Sequence, residues 1–248
     1  MKPVIKSTIA LYLLMTSLPS QAQWFGVNVR VRGNGDISTQ TRTVLGHYDK
    51  IKVAGPFDVK LIKGKEGEIK VETDSNLQEH IIVKVKERDY MLIIKVEDVV
   101  AIKPSKRRIK ITVPFTELNV IKLNGSGKIT SSEIIKTKVL KTSLRGSGDL
   151  RLNVDAKEVV SKIAGSGNIM LKGHSKVLLI NIRGSGDFYG DTLKTEDAEI
   201  KITGSGNVEV NVTGVLNAQI RGSGDIRYSG NPVLGRSKIS GSGSIKSK

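Results

Sequence analysis

Apolar and polar residues alternate through most of this chain in short stretches. Residues 150–154 and 208–212 are clear examples, with an apolar residue at every second position. An alternation with a period of two is typical of a β-strand that buries one face, whereas a helix needs apolar residues every three to four positions. β-Branched residues dominate the apolar positions. The pattern therefore predicts an all-β fold.

The triplet Gly-Ser-Gly recurs between these strands. Its first glycine lies at positions 125, 146, 165, 184, 204, 222 and 241, in steps of 21, 19, 19, 20, 18 and 19 residues. An apolar residue stands two positions before each first glycine: Leu123, Leu144, Ile163, Ile182, Ile202, Ile220 and Ile239. Another stands four positions after it: Ile129, Leu150, Ile169, Phe188, Val208, Ile226 and Ile245. Such a repeat predicts a β-solenoid, because stacking on neighbours is what buries the apolar face of each unit.

The glycines of the triplet suit a corner of each coil, or rung, of the solenoid. Glycine adopts positive φ without the steric cost of a Cβ atom. Small residues also allow successive corners to stack at the strand spacing of about 4.8 Å. Six such steps predict a rod about 29 Å long, with the two sets of apolar residues in its interior.

Two segments upstream of the triplets resemble further rungs. Residues 31–37 keep the frame with Asn34 in place of serine, and residues 51–59 keep it with Pro-Phe in place of Ser-Gly. An interruption at about 60–116 contains four alternating stretches, at 68–73, 81–86, 91–96 and 108–113. Its tight charged turns favour antiparallel hairpins. We therefore expect an antiparallel β insertion near the N-terminus that packs against, or caps, the start of the solenoid.

The first 22 residues have the pattern of a secretory signal peptide. Lys2 and Lys6 precede an apolar stretch at 9–18, and cleavage is expected after Ala22. That stretch is shorter than the roughly 20 residues of a transmembrane helix, and we expect no transmembrane segment in the mature chain. The predicted organisation is a signal peptide at 1–22, an N-terminal β region at 23–122 and a repetitive β-solenoid at 123–248. The predicted location is the periplasm, the cell surface or the medium.

The composition limits the chemistry that this chain can perform. It has 40 Lys and Arg against 24 Asp and Glu, for a net charge of +16, no cysteine and only three scattered histidines. Thiolate and histidine-built metal sites are therefore not expected, and we predict no catalytic residue, no cofactor and no metal site. The basic excess favours anionic partners. A dense cluster at 103–110 is interpreted as a solvated loop, with polyanion binding as the alternative.

Charged residues flank alternate triplets. Three triplets have arginine before them and aspartate after them: Arg145 and Asp149, Arg183 and Asp187, Arg221 and Asp225. The intervening triplets have neither. Like charges on adjacent strands repel, and the alternation separates them by about 10 Å instead of about 4.8 Å. We interpret the residues as surface ion pairs across each turn, worth about 0–1 kcal/mol each. A ligand-binding ladder along the surface is the alternative.

Several of these features occur together in one known group of proteins. They are the signal peptide, Phe57-Asp58-Val59, Ile111-Thr112-Val113-Pro114 and the Gly-Ser-Gly-[Asp/Asn]-apolar series. Over about residues 44–230 the chain resembles the head GIN domain family of exported bacterial proteins, described as auto-transporter adhesins. The resemblance implies an exported β-helical protein. It carries over no catalytic or ligand-binding residues.

The favoured function is that of an exported, non-catalytic binding or adhesion protein of the cell envelope. Envelope glycans, anionic polymers or another envelope protein are the candidate partners, and intracellular nucleic acid is not. One alternative is a polysaccharide lyase or hydrolase, whose candidate acids are Asp191, Glu196, Asp197 and Glu199. Another is a structural envelope protein that assembles through exposed strand edges, for example as a homo-oligomer. A hydroxyl ladder from Ser126 to Ser242 that binds ice or a crystalline polymer is disfavoured by the charges beside it.

Overall fold

A computed structural model describes residues 29–105 and 108–248 of the chain. The predicted signal peptide at 1–22 lies outside these residues. Within them, seventeen strands form one continuous sheet that coils into a solenoid, and two more form a separate small sheet. The predicted all-β class and the β-solenoid are confirmed. In this part of the chain no helix has the length and hydropathy needed to cross a bilayer.

The strands follow one another with short connections. The N-terminal region contains β1 (Val29–Arg32), β2 (Ile37–Thr43), β3 (Lys50–Ala54), β4 (Phe57–Lys63), β5 (Glu68–Asp74), β6 (Ile81–Lys86), β7 (Met91–Val96), β8 (Val100–Lys103) and β9 (Ile109–Phe115). The repetitive region contains β10 (Val120–Gly125), β11 (Lys128–Gly146), β12 (Asp149–Gly165), β13 (Asn168–Gly184), β14 (Phe188–Gly204), β15 (Val208–Val212), β16 (Val215–Gly222), β17 (Ile226–Ser229), β18 (Val233–Ser240) and β19 (Ile245–Ser247). Two short 3₁₀ helices, Ser75–His80 and Glu87–Asp89, flank β6.

Successive rungs stack in parallel. β11 pairs with β12, β12 with β13 and β13 with β14, each along most of its length. After β14 each rung is divided into two strands, so that β15 and β16 stack on β14 and are followed by β17 and β18. Equivalent residues of neighbouring rungs therefore form columns along the rod.

Both predicted interior columns are present. The residues two positions before the triplets are register partners from rung to rung, and each is at most 2% exposed: Leu144, Ile163, Ile182, Ile202 and Ile220. The residues that follow the triplets form the second column, and each is fully buried: Leu150, Ile169, Phe188, Val208 and Ile226. The alternation of the sequence thus corresponds to alternation between the core and the surface.

The triplet at 184–186 shows why two glycines are required at each corner. Gly184 has a φ of +119°, a conformation that residues with a Cβ atom rarely adopt. A Cβ atom on Gly186 would lie 2.2 Å from the carbonyl oxygen of Gly167 in the preceding rung. The backbone N–H groups of Ser185 and Gly186 donate to the carbonyl oxygen of Gly165 at 2.9 and 3.0 Å. Close stacking therefore continues through the corner, as the sequence predicts.

The insertion contributes a rung of its own. Its antiparallel pairs, β2 with β5, β5 with β9 and β6 with β7, agree with the predicted antiparallel insertion. In addition, β7 pairs in parallel with β3, and β9 pairs in parallel with β4. The opposite edges of β3 and β4 carry β10 and β11. The rung formed by β7 and β9 therefore precedes that of β3 and β4 in space, although it follows it in the chain.

The prediction that residues 31–37 form a rung is wrong. β1 pairs with β8 in the separate two-stranded sheet, and β2 runs antiparallel to β5. The loop between β1 and β2 folds over the buried side chain of Asp74, which accepts from the N–H of Gly35 at 2.8 Å and of Ser105 at 3.2 Å. Burial by itself raises the pKa of Asp74, but hydrogen bonds from Ser105 and Gly35 outweigh it and hold the pKa below its usual value. The glycines at 33 and 35 therefore serve a carboxylate-binding loop instead of a solenoid corner.

One hydrophobic core runs through the insertion and the solenoid, from Val44 to Ile226. The last rung of the described chain is different, because β18 has exposed residues along its whole length. Val233, Leu234 and Ile239 are 70, 48 and 44% exposed. Leu234 and Ile239 continue columns that are buried in the preceding rung. Among the described residues β18 pairs only with β16, so its outer edge presents these apolar side chains without a strand partner there.

Candidate binding surface

Each triplet separates two outer surfaces of the solenoid. One surface belongs to the strand segment that leads into the triplet, which we call the preceding segment. The other belongs to the segment that leaves it, which we call the following segment. Arg145, Arg183 and Arg221 lie on the preceding segment, whereas Asp149, Asp187 and Asp225 lie at the start of the following one. The two sets of predicted site residues therefore lie on opposite sides of a corner.

The aspartates belong to a hydrogen-bonded column along the rod. It comprises Asp149, Asn168, Asp187, Asn207, Asp225 and Ser244, and we call it the Asx ladder. Asp187 Oδ1 accepts from the backbone N–H and from Nδ2 of Asn207, at 2.7 and 3.1 Å. Asn207 Oδ1 in turn accepts from the N–H of Asp225 at 3.1 Å. Each carboxylate thus has a neutral hydrogen-bonding neighbour in the next rung.

The same arrangement continues at both ends of the ladder. Asn168 Nδ2 donates to Asp149 Oδ1 at 3.2 Å, and its Oδ1 accepts from the N–H of Asp187 at 3.3 Å. Asp225 Oδ1 accepts from the hydroxyl and the N–H of Ser244, both at 2.8 Å. These two Ser244 donors hold the pKa of the Asp225 carboxyl below its usual value. The alternation of acidic and neutral residues therefore provides donors between carboxylates.

The predicted ion pairs across the turns are not formed. In the described part of the chain, none of the three arginines forms an ion pair with the aspartate that follows its triplet. Asp149 instead contacts Arg151, two residues further along the chain, at 3.8 Å. The reason is geometric, because the corner directs the two side chains to different surfaces. The aspartates are satisfied along the rod by the Asx ladder, and the arginines remain available on the preceding segment.

Two outward-facing columns run along the preceding segment, and together we call them the basic strip. The column three residues before each corner glycine contains Lys52, Lys122, Ser143, Lys162, Asn181, Lys201, Gln219 and Lys238. The column one residue before it contains Ala54, Asn124, Arg145, Ala164, Arg183, Thr203, Arg221 and Ser240. Neither column contains an acidic residue. The strip therefore combines cations with small or neutral polar side chains over eight rungs.

The cations of the strip alternate between its two columns. From β10 to β18 each rung carries one of them: Lys122, Arg145, Lys162, Arg183, Lys201, Arg221 and Lys238. Lysines occupy one column and arginines the other, in alternate rungs. The axial spacing is therefore about 4.8 Å per charge, in a zigzag. Only the arginines of this strip were predicted from the sequence. The lysines recur three positions before the triplets, in the rungs that lack an arginine.

Ion pairing distinguishes the two surfaces. Within residues 29–105 and 108–248, Lys201 alone of the seven zigzag cations has an ion-pair partner, Glu199 at 2.5 Å. On the following segment, by contrast, Arg151 pairs with Asp149, and Glu209 pairs with both Arg227 and Lys248. The positive charge of the strip is therefore largely uncompensated, whereas the other surface approaches local balance.

Two shallow grooves lie along the strip. One has a volume of about 280 Å³ and includes Val160, Lys162, Leu179, Asn181 and Lys201 in its lining. The other has a volume of about 620 Å³ and includes Glu199, Lys201, Asn217, Gln219, Arg236 and Lys238. They share Glu199 and Lys201, so they follow each other along the rod from β12 to β18. An extended ligand parallel to the axis could contact both.

Three of the four acids that the enzyme alternative invoked, Asp191, Asp197 and Glu199, have separate structural partners. Asp197 Oδ1 accepts from the N–H of Val215 at 2.7 Å, and Glu199 pairs with Lys201. Asp191 lies 4.0 Å from Lys248 Nζ. Among the described residues there is also no group of three or more His, Cys, Asp or Glu side chains that could hold a metal ion. These acids therefore have local structural partners in separate places.

The basic cluster at 103–110 is only partly described, because Lys106 and Arg107 lie outside the described residues. Two of its other members have acidic partners: Arg108 contacts Asp58 at 3.3 Å, and Lys110 contacts Glu72 at 2.8 Å. The serines of the triplets from Ser126 to Ser223 are all exposed at the corner between the basic strip and the Asx ladder. The serines are uncharged, and the charges of Arg108 and Lys110 are compensated by acids, in contrast to those of the basic strip.

Residues 47–232 match the family model described as "Putative auto-transporter adhesin, head GIN domain". The match spans most of the chain. This protein belongs to the head GIN domain family. The resemblance inferred from its sequence motifs is thus confirmed. A comparison with curated proteins finds no match.

Solved structures of similar proteins have the same fold. A "putative adhesin" from Bacteroides fragilis has a TM-score of 0.80 at 21% identity, over 88% of this chain and 100% of that one. A "putative lipid binding protein" from Parabacteroides distasonis has a TM-score of 0.73 at 25% identity, over 88% and 99%. A "putative adhesin" from the same species has a TM-score of 0.72 at 25% identity, over 88% and 100%. These proteins of Bacteroides and Parabacteroides thus share the solenoid fold.

Proposed function

We propose that this protein is an exported, non-catalytic binding protein of the cell envelope, and that its basic strip holds an anionic ligand. The observation that carries the proposal is the strip itself, whose two columns present cations over eight rungs and contain no acidic residue. Uncompensated charge of one sign on a rigid surface attracts an oppositely charged partner over several ångströms and selects its orientation. The descriptions of related structures as adhesins and as a lipid-binding protein agree with a binding role.

A strip variant with a matched control tests this proposal. Replacing Arg145, Arg183 and Arg221 with glutamine removes three charges from the strip. Replacing Arg151, Lys172 and Arg227 with glutamine removes three exposed charges from the following segment and leaves the same net charge. Binding to polygalacturonate and to heparin is measured by isothermal titration calorimetry in about 0.15 M salt, and affinity should fall steeply as salt is raised. We expect at least a tenfold loss for the strip variant and less than a threefold loss for the control. Equal losses would show that net charge alone drives binding.

The non-catalytic part of the proposal has a separate test. We expect no release of reducing ends or unsaturated products from acidic or neutral polysaccharides, because Asp191 and Asp197 have separate structural partners, Lys248 and the N–H of Val215. Turnover that is abolished by Asp191→Asn or Glu196→Gln would establish the alternative, a polysaccharide-processing enzyme. The same variants should leave the affinity for polygalacturonate unchanged.

Export is proposed from the sequence of residues 1–22. In an expressing bacterium, the mature protein should appear outside the cytoplasm with Gln23 as its first residue, because cleavage is expected after Ala22. Intact-mass measurement on fractionated cells checks both points. A full-length chain that remains in the cytoplasm would contradict the proposed location.

A second candidate role is assembly through the last rung, because β18 has exposed apolar side chains and, among the described residues, an outer edge without a strand partner. Exposed edges of this kind pair with other strands. Light scattering coupled to size-exclusion chromatography should then show a concentration-dependent dimer that Leu234→Lys and Ile239→Lys abolish. A monomer at all concentrations would exclude self-assembly through this edge.

A further inference from the structure

We infer that the ligand of the basic strip is an extended acidic polysaccharide with one carboxylate on each sugar, lying parallel to the rod with about one sugar residue per rung. The inference deepens the proposed function and rests on it. It starts from the period of the strip, which is one cation per rung over seven rungs, from Lys122 to Lys238.

The charge spacing discriminates between classes of polyanion. The strip offers one positive charge per about 4.8 Å along the rod. Double-stranded DNA has one negative charge per about 1.7 Å, nearly three times that density, and binds through many phosphates at once. A polymer of uronic acids has one carboxylate per pyranose ring, and the length of a ring in an extended chain is of the same order as the spacing of the rungs. Each carboxylate of such a polymer can therefore meet one cation.

The neutral residues of the strip suit a sugar chain as well. Each arginine rung also presents a hydrogen-bonding side chain two residues earlier: Ser143, Asn181 and Gln219. Three of the four lysine rungs likewise present a polar side chain two positions later, Asn124, Thr203 or Ser240, and the fourth presents Ala164. Hydroxyl groups of a sugar can pair with these polar side chains, and ring atoms can lie close to Ala164. Arginine and lysine rungs alternate, so a sugar chain with a two-fold screw places equivalent groups against equivalent rungs.

The two kinds of cation have different roles in this arrangement. Arginine presents a planar fork that binds a carboxylate through two parallel hydrogen bonds, whereas lysine acts as a compact point charge. Arg183 lies in the middle of the strip, between Lys162 and Lys201. Two-point contacts at alternate sugars would fix the register of the chain, and the lysines would neutralise the sugars between them. The grooves beside Lys162, Lys201 and Lys238 provide space for the rings, and both also include Glu199, which is paired with Lys201.

Oligomers of galacturonic acid of two to ten residues test the number of contacts. Their affinity for the full-length chain is measured by calorimetry in about 0.15 M salt. We expect the dissociation constant to fall with each added residue up to about seven, since the zigzag spans seven rungs, and to change less than twofold beyond. Methyl esterification of alternate carboxyls should weaken the heptamer at least tenfold. Arg183→Lys, which keeps the charge, should weaken binding of the heptamer about threefold to tenfold. The control Lys172→Arg, on the other surface, also keeps the charge and should have no effect.

A spin label on the reducing end of the heptamer tests the orientation by a readout that does not depend on affinity. A chain parallel to the rod should broaden backbone amide NMR signals of rungs at one end of the strip, near Lys122 or near Lys238, and leave the other end sharp. Broadening spread evenly over all rungs, or confined to the following segment, would overturn the inference.

Other ligands provide the remaining comparisons. Polyglutamate and heparin, at equal concentrations of charge, should bind at least tenfold more weakly than the galacturonate heptamer. Vesicles with phosphatidylglycerol should not compete with it. If these ligands bind through the strip as tightly as the heptamer, the strip is a general anionic surface, and the inference fails while the proposed function stands. If the Arg145, Arg183 and Arg221 glutamine variant binds every anion as tightly as the wild type, the proposed function fails with it.

Discussion

The Asx ladder predicts that Asn207→Asp destabilises the rod. Asn207 lies between two carboxylates, those of Asp187 and Asp225, and donates to the first through Nδ2 at 3.1 Å. The substitution removes this donor and places a third negative charge in the same column. At the rung spacing, each of the two new repulsions amounts to about 0.9 kcal/mol in bulk water. The lost hydrogen bond adds about 1 kcal/mol.

The expected destabilisation is therefore about 2–3 kcal/mol at low salt and pH 7, which lowers Tm by about 4–12 °C in a chain of this size. The repulsive part should fall to about a fifth in 1 M salt, where the Debye length is about 3 Å. The flanking carboxylates raise the pKa of the introduced carboxyl above its unfolded value of about 3.9. The repulsive part of the penalty should consequently be absent below the unfolded value and should develop as the pH rises through the raised pKa.

Asn207→Ser is the matched control, because serine at the equivalent position of the last rung, Ser244, donates to Asp225. Thermal and urea denaturation of both variants and the wild type, at low and high salt and from pH 4 to 8, provides the comparison. We expect the serine variant to lose less than about 1 kcal/mol. If Asn207→Asp is as stable as Asn207→Ser in low salt at pH 7, repulsion within the column does not explain why acidic and neutral residues alternate.

Three further predictions concern stability. Ile182→Ala should cost about 2–5 kcal/mol in urea unfolding, because its site is fully buried in a closed column. Gly186→Ala should lower Tm far more than Ser185→Ala, since an added Cβ atom would lie 2.2 Å from the carbonyl oxygen of Gly167; equal effects would mean that the corners can separate. The lowered pKa of Asp74 implies a stabilisation that is present above the unfolded pKa and is lost as the pH falls through the folded one. Asp74→Asn should remove that part of the pH dependence of the urea midpoint.

The period of the solenoid and its interior could be predicted from the sequence alone. Leu144, Ile163 and Ile182 recur at equal distances from a Gly-Ser-Gly triplet, and in a structure made of equal rungs such residues meet in one column. The demands on each position are local and repeated, so seven copies of the same pattern specify the same corner seven times. For the same reason the positive φ of a glycine such as Gly184 could be anticipated.

The N-terminal region is different because its contacts are not repeated. Residues 31–37 have the spacing of a rung, but the loop there closes on Asp74, a partner that no local pattern reveals. β7 and β9 have the alternation of any strand. Only their parallel pairing with β3 and β4 places them before those strands in space. Long-range pairing is set by which edges and apolar faces remain available in the whole molecule.

The candidate binding surface lies between these two cases. The sequence by itself determined that charged residues alternate from triplet to triplet, and it suggested the wrong partners, because Arg183 and Asp187 are near each other in the chain. The tertiary structure decided that a corner directs them to different surfaces, where Asp187 bonds to Asn207 and Arg183 lies between Lys162 and Lys201. Residues one rung apart are about 19 positions apart in sequence, yet they stand only about 4.8 Å apart in the rod. Stacking, and not sequence proximity, therefore determines which charges and hydrogen-bonding groups act together.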